Sequence, residues 1–179
     1  MVAVVVAMLI NFFGAPGSGK STLAYKLCGY LKGLGKDVEF APEYIKTLIA
    51  LGEHSYTGLE LAAMQFKQIM AFEKSSQIVI TDSPVLLPSI YSTIGKEFSE
   101  EYRQALSLMC FSLHNLFKNR RDILVVPIDP ELYQENLRFQ KYEESKRIYH
   151  DYFENLIEYD LVVDYTWEAQ ALSESCSLF

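Results

Sequence analysis

The sequence predicts an α/β fold in which helices cover both faces of a parallel sheet of about five strands. Short apolar, β-branched segments alternate with longer segments of helical periodicity. In addition, the first strand runs directly into a glycine-rich turn that opens a helix. The strands are expected at residues 2–13, 38–41, 77–81, 123–128 and 161–163. Helices are expected at residues 21–31, 44–51, 59–74, 98–117, 131–138 and 143–158, whereas residues 85–96 are expected to be irregular.

The glycine-rich turn fits the phosphate-binding pattern G-x-x-x-x-G-K-[ST] over residues 14–21. Its glycines allow positive φ angles, so that backbone N–H groups can point inward at phosphate oxygens. The helix that follows adds the positive end of its dipole. The residues expected to contact the nucleotide are Gly14, Ala15, Pro16, Gly17, Ser18, Gly19, Lys20, Ser21 and Thr22. Strand, turn and helix together predict the three-layer sandwich of a P-loop NTPase.

Two polar side chains of this motif have specific tasks in phosphoryl chemistry. Lys20 is expected to contact the β- and γ-phosphates, and the Ser21 hydroxyl is expected to ligate Mg²⁺. The pattern therefore predicts ATP and Mg²⁺ as cofactors, although the motif alone is compatible with GTP. No guanine-reading N-K-x-D segment follows a predicted strand, which argues against a GTPase.

Carboxylates follow two of the other strands. Because the carboxyl ends of parallel strands meet at one edge of the sheet, Glu43 and Asp82 are expected beside the phosphate-binding turn. Asp82 is interpreted as a metal-site and catalytic carboxylate, the alternative being a cap of the Ser83-Pro84 turn. Glu43 is interpreted as the group that faces an acceptor hydroxyl, the alternative being an N-terminal helix residue. Asp129 is expected to be only a helix N-cap.

A basic segment at about residues 131–147 is interpreted as a lid. Arg138 is its expected catalytic cation, and Lys141 is the second candidate. The alternative is a solvated helical face with pairs such as Glu143 with Arg147, and this alternative is preferred for Lys146 and Arg147. The candidates for an aromatic wall that stacks on an acceptor base are Tyr44, Tyr56, Phe66 and Tyr91. Aromatic residues at this spacing more often belong to the hydrophobic core.

Chain length, net charge and cysteine content limit the class of protein and its cellular location. The 179 residues are expected to form one domain, and the net charge of −7 argues against tight non-specific binding to nucleic acid. Three widely spaced cysteines without a C-x-x-C pair indicate packed, reduced thiols, and the isolated histidines indicate that no zinc site is present. The apolar N-terminus has no basic segment before it and is too short to span a bilayer, so it is interpreted as the first strand, with Met8 as an alternative start. A cytoplasmic protein is expected, with no membrane partner and its oligomeric state open.

The chain resembles the small P-loop kinases of the ribosylnicotinamide-kinase-like group, including phage-borne members, and more distantly the nucleoside and nucleotide kinases. The resemblance rests on residues 12–22, 38–44, 80–84, 136–140 and 143–145. It implies that Glu43 faces the acceptor, that Asp82 is the acidic residue after the third strand, and that Arg138 is the lid arginine. Leu137 stands where the family often has glycine, so the lid backbone is expected to differ.

The expected function is an ATP- and Mg²⁺-dependent kinase that transfers the γ-phosphoryl group to a hydroxyl or phosphate of a nucleoside-like acceptor. A small nucleoside or nucleotide is the expected acceptor, because few basic residues lie near the predicted acceptor side. Two alternatives stay open. One is a kinase that acts on a hydroxymethylated pyrimidine in DNA, and the other is a regulatory ATPase that binds nucleotide but transfers to no small molecule.

Overall fold

The computed structural model describes residues 7–53, 55–94, 98–128, 130–133 and 141–177. Its strands are β1 (Met8–Phe13), β2 (Val38–Ala41), β3 (Ile78–Thr81), β4 (Arg120–Val125) and β5 (Leu161–Val163). They form one sheet in the order β2-β3-β1-β4-β5, and every neighbouring pair is parallel. The predicted α/β sheet of five parallel strands is thus confirmed.

Seven α-helices accompany the sheet in the described part of the chain. They are α1 (Lys20–Gly33), α2 (Tyr44–Ala50), α3 (Gly58–Glu73), α4 (Leu87–Ile94), α5 (Glu100–His114), α6 (Tyr142–Ile148) and α7 (Ala169–Ser175). A short 3₁₀ turn occupies Pro130–Leu132, and α6 continues as a π-helical turn over Tyr149–Phe153. No described helix has the length and apolar character needed to cross a membrane.

The central strand has apolar side chains on both of its faces. Ile10 and Phe12 of β1 pack in a buried cluster with Leu23 and Leu27 of α1. Phe13 belongs to a separate buried cluster that includes residues of α4, α5 and α6. Because both faces are covered, the inner strands β1 and β3 are almost continuously apolar, as is usual for parallel sheets. This arrangement places the carboxyl ends of β1, β2 and β3 at one edge of the molecule.

The expectation of an irregular segment at residues 85–96 was wrong, because residues 87–94 form α4. Pro88 is the second residue of this helix, where no intrahelical N–H donor is required. The Ser92 and Thr93 hydroxyls donate to the carbonyl of Ser89 within the helix. Burial of Leu87 and other apolar residues of α4 therefore outweighs the local signals that predicted a loop.

The fourth strand was predicted three residues too late. It begins at Arg120 and ends at Val125, in register with β1, and Asp122 lies within it. Asp122 is buried, accepts a hydrogen bond of 2.7 Å from Asn11 Nδ2, and lies 3.2 Å from Nε2 of the buried His114. These polar residues are paired inside the protein, and His114 is a buried core histidine.

The C-terminal third differs in detail from the prediction. Of the helix expected at residues 131–138, the described residues show only the 3₁₀ turn, while Asp129 and residues 134–140 lie outside the described part. The helix expected at residues 143–158 ends earlier, at Phe153, and its last turn is π-helical. Helix α7 was not predicted. Cys28, Cys110 and Cys176 are buried and free, in agreement with packed thiols.

Candidate functional site

The phosphate-binding turn links β1 to α1. Gly17 and Gly19 have φ angles of 80° and 89°, which favour glycine. A Cβ at Gly17 would overlap the ring of Tyr133, and a Cβ at Gly19 would lie 2.7 Å from the Cβ of Tyr165. Neither glycine can therefore be replaced without moving its neighbours. The turn is closed by a hydrogen bond from Ser18 N to the carbonyl of Ala15.

The turn holds a buried polar atom that the protein does not satisfy. The Ser18 side chain is 1% exposed, and its hydroxyl has no hydrogen-bond partner among the described residues. Oδ1 of Asp82 is in the same situation. Because buried polar groups are nearly always paired, such atoms commonly mark the place of a ligand. Both flank the N-terminus of α1, where the helix dipole favours an anion.

Ser21 and Asp82 are in direct contact. The Ser21 hydroxyl donates to Asp82 Oδ2 at 2.5 Å, and the Asp82 side chain is 3% exposed. Asp82 follows β3 directly, as predicted. In the Ser83-Pro84 turn, which Asp82 was alternatively expected to cap, the N–H of Ser83 is bonded to the Thr81 hydroxyl. The carboxylate is thus directed at the phosphate-binding turn.

Glu43 occupies the N-cap position of α2, but its side chain makes no capping hydrogen bond. Its Oε2 instead lies 3.1 Å from Nζ of Lys46, one turn further along the helix. The same Nζ lies 3.8 Å from Asp82 Oδ2. Burial alone would lower the pKa of Lys46, yet the pKa is raised because Glu43 and Asp82 stabilise the charged ammonium. Lys46 is therefore a cation shared by the two predicted carboxylates.

Gln65 of α3 fixes the backbone on both sides of Glu43. Its Oε1 accepts from Tyr44 N at 2.9 Å, and its Nε2 is 3.3 Å from the carbonyl oxygen of Pro42. The Thr81 hydroxyl, which lies 3.4 Å from the same Nε2, donates to the carbonyl of Ala41. These bonds tie the ends of β2 and β3 together, so that the two carboxylates project from a rigid edge.

A cavity of about 550 Å³ opens beside the P-loop. Lys20, Ser21 and Glu43 are among the residues that line it. The rest of the lining is mostly apolar or aromatic and includes Tyr44, Ile45, Ile49, Tyr56, Leu61, Leu87, Pro88, Tyr91 and Phe98. A concave, mainly apolar site with a few convergent polar groups is the usual form of a small-molecule pocket.

Three of the four aromatic residues proposed for an acceptor wall line this cavity, namely Tyr44, Tyr56 and Tyr91. Phe66 does not, because it packs on Phe117 in the core with ring centroids 5.3 Å apart. Burial raises the pKa of Tyr91, and the nearby carboxylates Glu43 and Asp82 raise it further. Tyr91 is therefore a neutral phenol inside the cavity.

The predicted lid cation, Arg138, lies outside the described residues. Both described flanks of that segment contact the P-loop: Tyr133 lies against Gly17, and the Ser145 hydroxyl donates to the carbonyl of Pro16. Lys141 occupies the N-cap position of α6 and is exposed. Described residues on both sides of residues 134–140 thus contact the P-loop.

No role was predicted for Lys46, Gln65 or Tyr165. Lys46 stands three positions after Glu43, a spacing that brings side chains together on a helix. Gln65 is a polar residue between Leu61 and Ile69, on the apolar face of α3, and a buried amide at such a position is a detectable signal. Tyr165 had no signal before the P-loop geometry was known. Thr22, predicted to contact nucleotide, is exposed in the first turn of α1.

The described residues contain no group of three or more His, Cys, Asp or Glu side chains that could hold a metal ion. The sheet order, the P-loop and the carboxylate after β3 define a P-loop NTPase fold. A family model described as an AAA domain matches residues 9–163, and the chain belongs to that family of nucleotide-binding P-loop proteins. No curated protein matches the sequence.

Proposed function

We propose that the protein is an ATP- and Mg²⁺-dependent kinase that phosphorylates a hydroxyl of a small nucleoside-like acceptor. The observation that carries this proposal is the cavity of about 550 Å³ that adjoins Lys20 and Ser21 and has Glu43 in its wall. Hydrolysis by water requires no such space, whereas transfer to a second substrate does. The likeness to small P-loop kinases in the sequence points in the same direction.

On the nucleotide side, the residues fit a magnesium-bound triphosphate. Ser21 Oγ and Asp82 Oδ2 lie 2.5 Å apart, and Asp82 Oδ1 is buried without a described partner. Hydroxyl and carboxylate oxygens are ligands that Mg²⁺ accepts. When bound, Mg²⁺ would neutralise charge on the transferring phosphoryl group. Lys20 contributes a further positive charge, and the N–H groups of the turn hold the phosphates.

On the acceptor side, Glu43 orients the attacking hydroxyl and accepts its proton. The carboxylate is only partly exposed and borders the cavity. Gln65 restrains the backbone at Glu43, so that the carboxylate keeps its place without an acceptor. Such preorganisation is what positioning and proton transfer require.

The lining favours an acceptor without phosphate groups. Among the described lining residues, the only cationic side chains are Lys20 and Lys46, and Lys46 is already paired with two carboxylates. A nucleotide or a DNA strand would need further positive charge here. Tyr44, Tyr56 and Tyr91 instead offer aromatic surface for a planar base.

Arg138 is proposed as the lid cation that meets the transferring phosphoryl group. Tyr133 and Ser145, on either side of residues 134–140, contact the P-loop, and these contacts support the role proposed for Arg138. A cation there would balance negative charge in the transition state. Lys141 is the second candidate for this task.

The family match supports a second candidate function. The match to an AAA domain is consistent with hydrolysis of the nucleotide as well as with transfer, so a regulatory ATPase is the second candidate. In that case the phosphoryl group goes to water, and the cavity binds a regulatory partner or ligand. The third candidate is a kinase that acts on a hydroxymethylated pyrimidine in DNA; a flipped-out base would fit the aromatic cavity, but the lining lacks the positive charge that a DNA strand would need.

One experiment separates these functions. The purified chain is incubated with γ-labelled ATP and Mg²⁺ in the presence of nucleosides, nucleotides or hydroxymethylated DNA. Transfer of label to a nucleoside supports the proposal. Release of inorganic phosphate alone, at a rate independent of every acceptor, contradicts it and favours the ATPase. Label in DNA that falls steeply with added salt, while nucleosides stay unlabelled, identifies a DNA kinase instead.

A further inference from the structure

Lys46 joins the two halves of the proposed active site. Its ammonium lies 3.1 Å from Glu43 Oε2 on the acceptor side and 3.8 Å from Asp82 Oδ2 on the nucleotide side. That Asp82 oxygen is the one that accepts the hydrogen bond from Ser21. A protein cation therefore lies against the oxygen that fits a divalent metal.

The three side chains differ in their freedom to move. The Asp82 side chain is 3% exposed and that of Glu43 is 23% exposed, whereas that of Lys46 is 61% exposed. A long, half-solvated lysine side chain can leave one partner at little energetic cost. Asp82 cannot move as easily, because it follows β3 and is bonded to Ser21. If a divalent metal ion competes with Lys46 for Asp82, the lysine side chain is therefore the group that can move away.

The helix that carries Lys46 is weakly anchored. None of the seven residues of α2 is buried, and the hydrogen bond from Tyr44 N to Gln65 lies at its first turn. Ile45 and Ile49 of the same helix line the acceptor cavity. The contact of Lys46 with Asp82 thus links this wall of the cavity to the metal side of the site.

We propose that Lys46 is a positioning residue that competes with the divalent cation for Asp82 and, once displaced, remains on Glu43 and holds that carboxylate toward the acceptor. The part of this inference that concerns the acceptor rests on the proposed function. The part that concerns the metal ion depends only on the contacts of Lys46 and Asp82. If the displacement of Lys46 by Mg²⁺ changes the affinity for the acceptor, the acceptor changes the affinity for Mg²⁺ by the same factor, because coupling between two binding sites is reciprocal.

The test is a Mg²⁺ titration of nucleotide binding, with a fluorescent, non-hydrolysable ATP analogue as the probe. Lys46→Met removes the competing charge and keeps the length of the side chain. The half-saturating Mg²⁺ concentration is expected to fall about three- to tenfold, the range for a charge pair with one buried partner. Lys46→Arg retains the charge and should restore the wild-type value. Lys67→Met, which removes an exposed lysine of α3 outside the cavity lining, is the matched control and should leave the titration unchanged.

Two results overturn the inference. An unchanged or raised Mg²⁺ requirement in Lys46→Met shows that the lysine does not compete with the metal. Weaker binding of the analogue in the absence of Mg²⁺ shows that Lys46 is a phosphate ligand. Thermal unfolding of each variant verifies that it is folded. Because this readout needs no acceptor, it can succeed even where the acceptor panel shows no transfer, so failure of the kinase proposal is recognised separately.

Discussion

The Ser21 hydroxyl and the Asp82 carboxylate are joined by a hydrogen bond of 2.5 Å, although 61 positions separate them in the chain. One residue opens α1, and the other follows β3. Their contact means that the two oxygen ligands proposed for the metal are assembled by the fold itself, before any nucleotide arrives. A site organised in this way loses little entropy when its ligands bind.

Replacing Asp82 tests the metal side most directly. Asp82→Asn keeps the size of the side chain but removes its negative charge. Phosphoryl transfer is expected to fall by about two to four orders of magnitude, and nucleotide binding should lose its dependence on Mg²⁺. Steady-state kinetics and the Mg²⁺ titration measure these effects. A variant that still needs Mg²⁺ at the wild-type concentration would show that Asp82 is not a ligand of the ion.

Replacing Lys20 tests the phosphate contact. Lys20→Ala should unfold at nearly the wild-type temperature, because the side chain is not part of the hydrophobic core. Transfer should drop by roughly two orders of magnitude or more, since charge stabilisation dominates phosphoryl transfer. Thermal unfolding and turnover are measured on the same preparation. Near-normal turnover would contradict the assignment of the P-loop.

Replacing Glu43 is expected to impair turnover with the acceptor and to leave nucleotide binding unchanged. Glu43→Gln should leave the affinity for the ATP analogue within about twofold and lower kcat with acceptor by about two to four orders of magnitude, the range for a lost general base. Glu53→Gln, at an exposed position after α2, is a suitable control. Lower thermal stability with unchanged kinetics would identify Glu43 as a helix-terminus residue only.

Asp122 is expected to contribute to stability and not to catalysis. Burial alone would raise its pKa, but His114, Asn11 and Arg120 stabilise the carboxylate and hold the pKa below the ordinary aspartate value. A group whose pKa is lowered by folding contributes stability above its unfolded pKa and loses it as the pH falls through the folded one. Asp122→Asn should therefore cost about 2–4 kcal/mol at neutral pH, because it leaves buried polar partners unsatisfied.

The pH dependence supplies the control for this prediction. Below about pH 4, the ordinary range of an aspartate, the free energy of unfolding of the wild type should fall faster than that of Asp122→Asn. Asp37→Asn, at an exposed position, should keep the acid sensitivity of the wild type. Parallel pH curves for wild type and Asp122→Asn would mean that the Asp122 carboxylate is not stabilised by folding. Equilibrium denaturation at each pH measures the effect.

The parts of the molecule that sequence predicts well are those set by local pattern and by the geometry of parallel sheets. The P-loop follows from its motif, and the placement of Glu43 and Asp82 follows from the rule that strand ends share one edge. The partner of Lys46 could not be predicted in this way, because the contact with Asp82 depends on how α2 packs against the sheet. The start of β4 was missed because Asp122 resembles a turn residue until its buried partners are known.

Helix α2 forms part of the cavity wall but contributes no buried residue to the core. Substitutions at Ile45 or Ile49 therefore change the shape of the cavity at little cost in folding free energy. If the cavity selects the acceptor, substrate specificity can evolve or be redesigned while the fold stays intact. The reason is that the residues that determine specificity differ from those that stabilise the fold. A library restricted to α2 should yield folded variants at high frequency, and altered acceptor preference should be found among them.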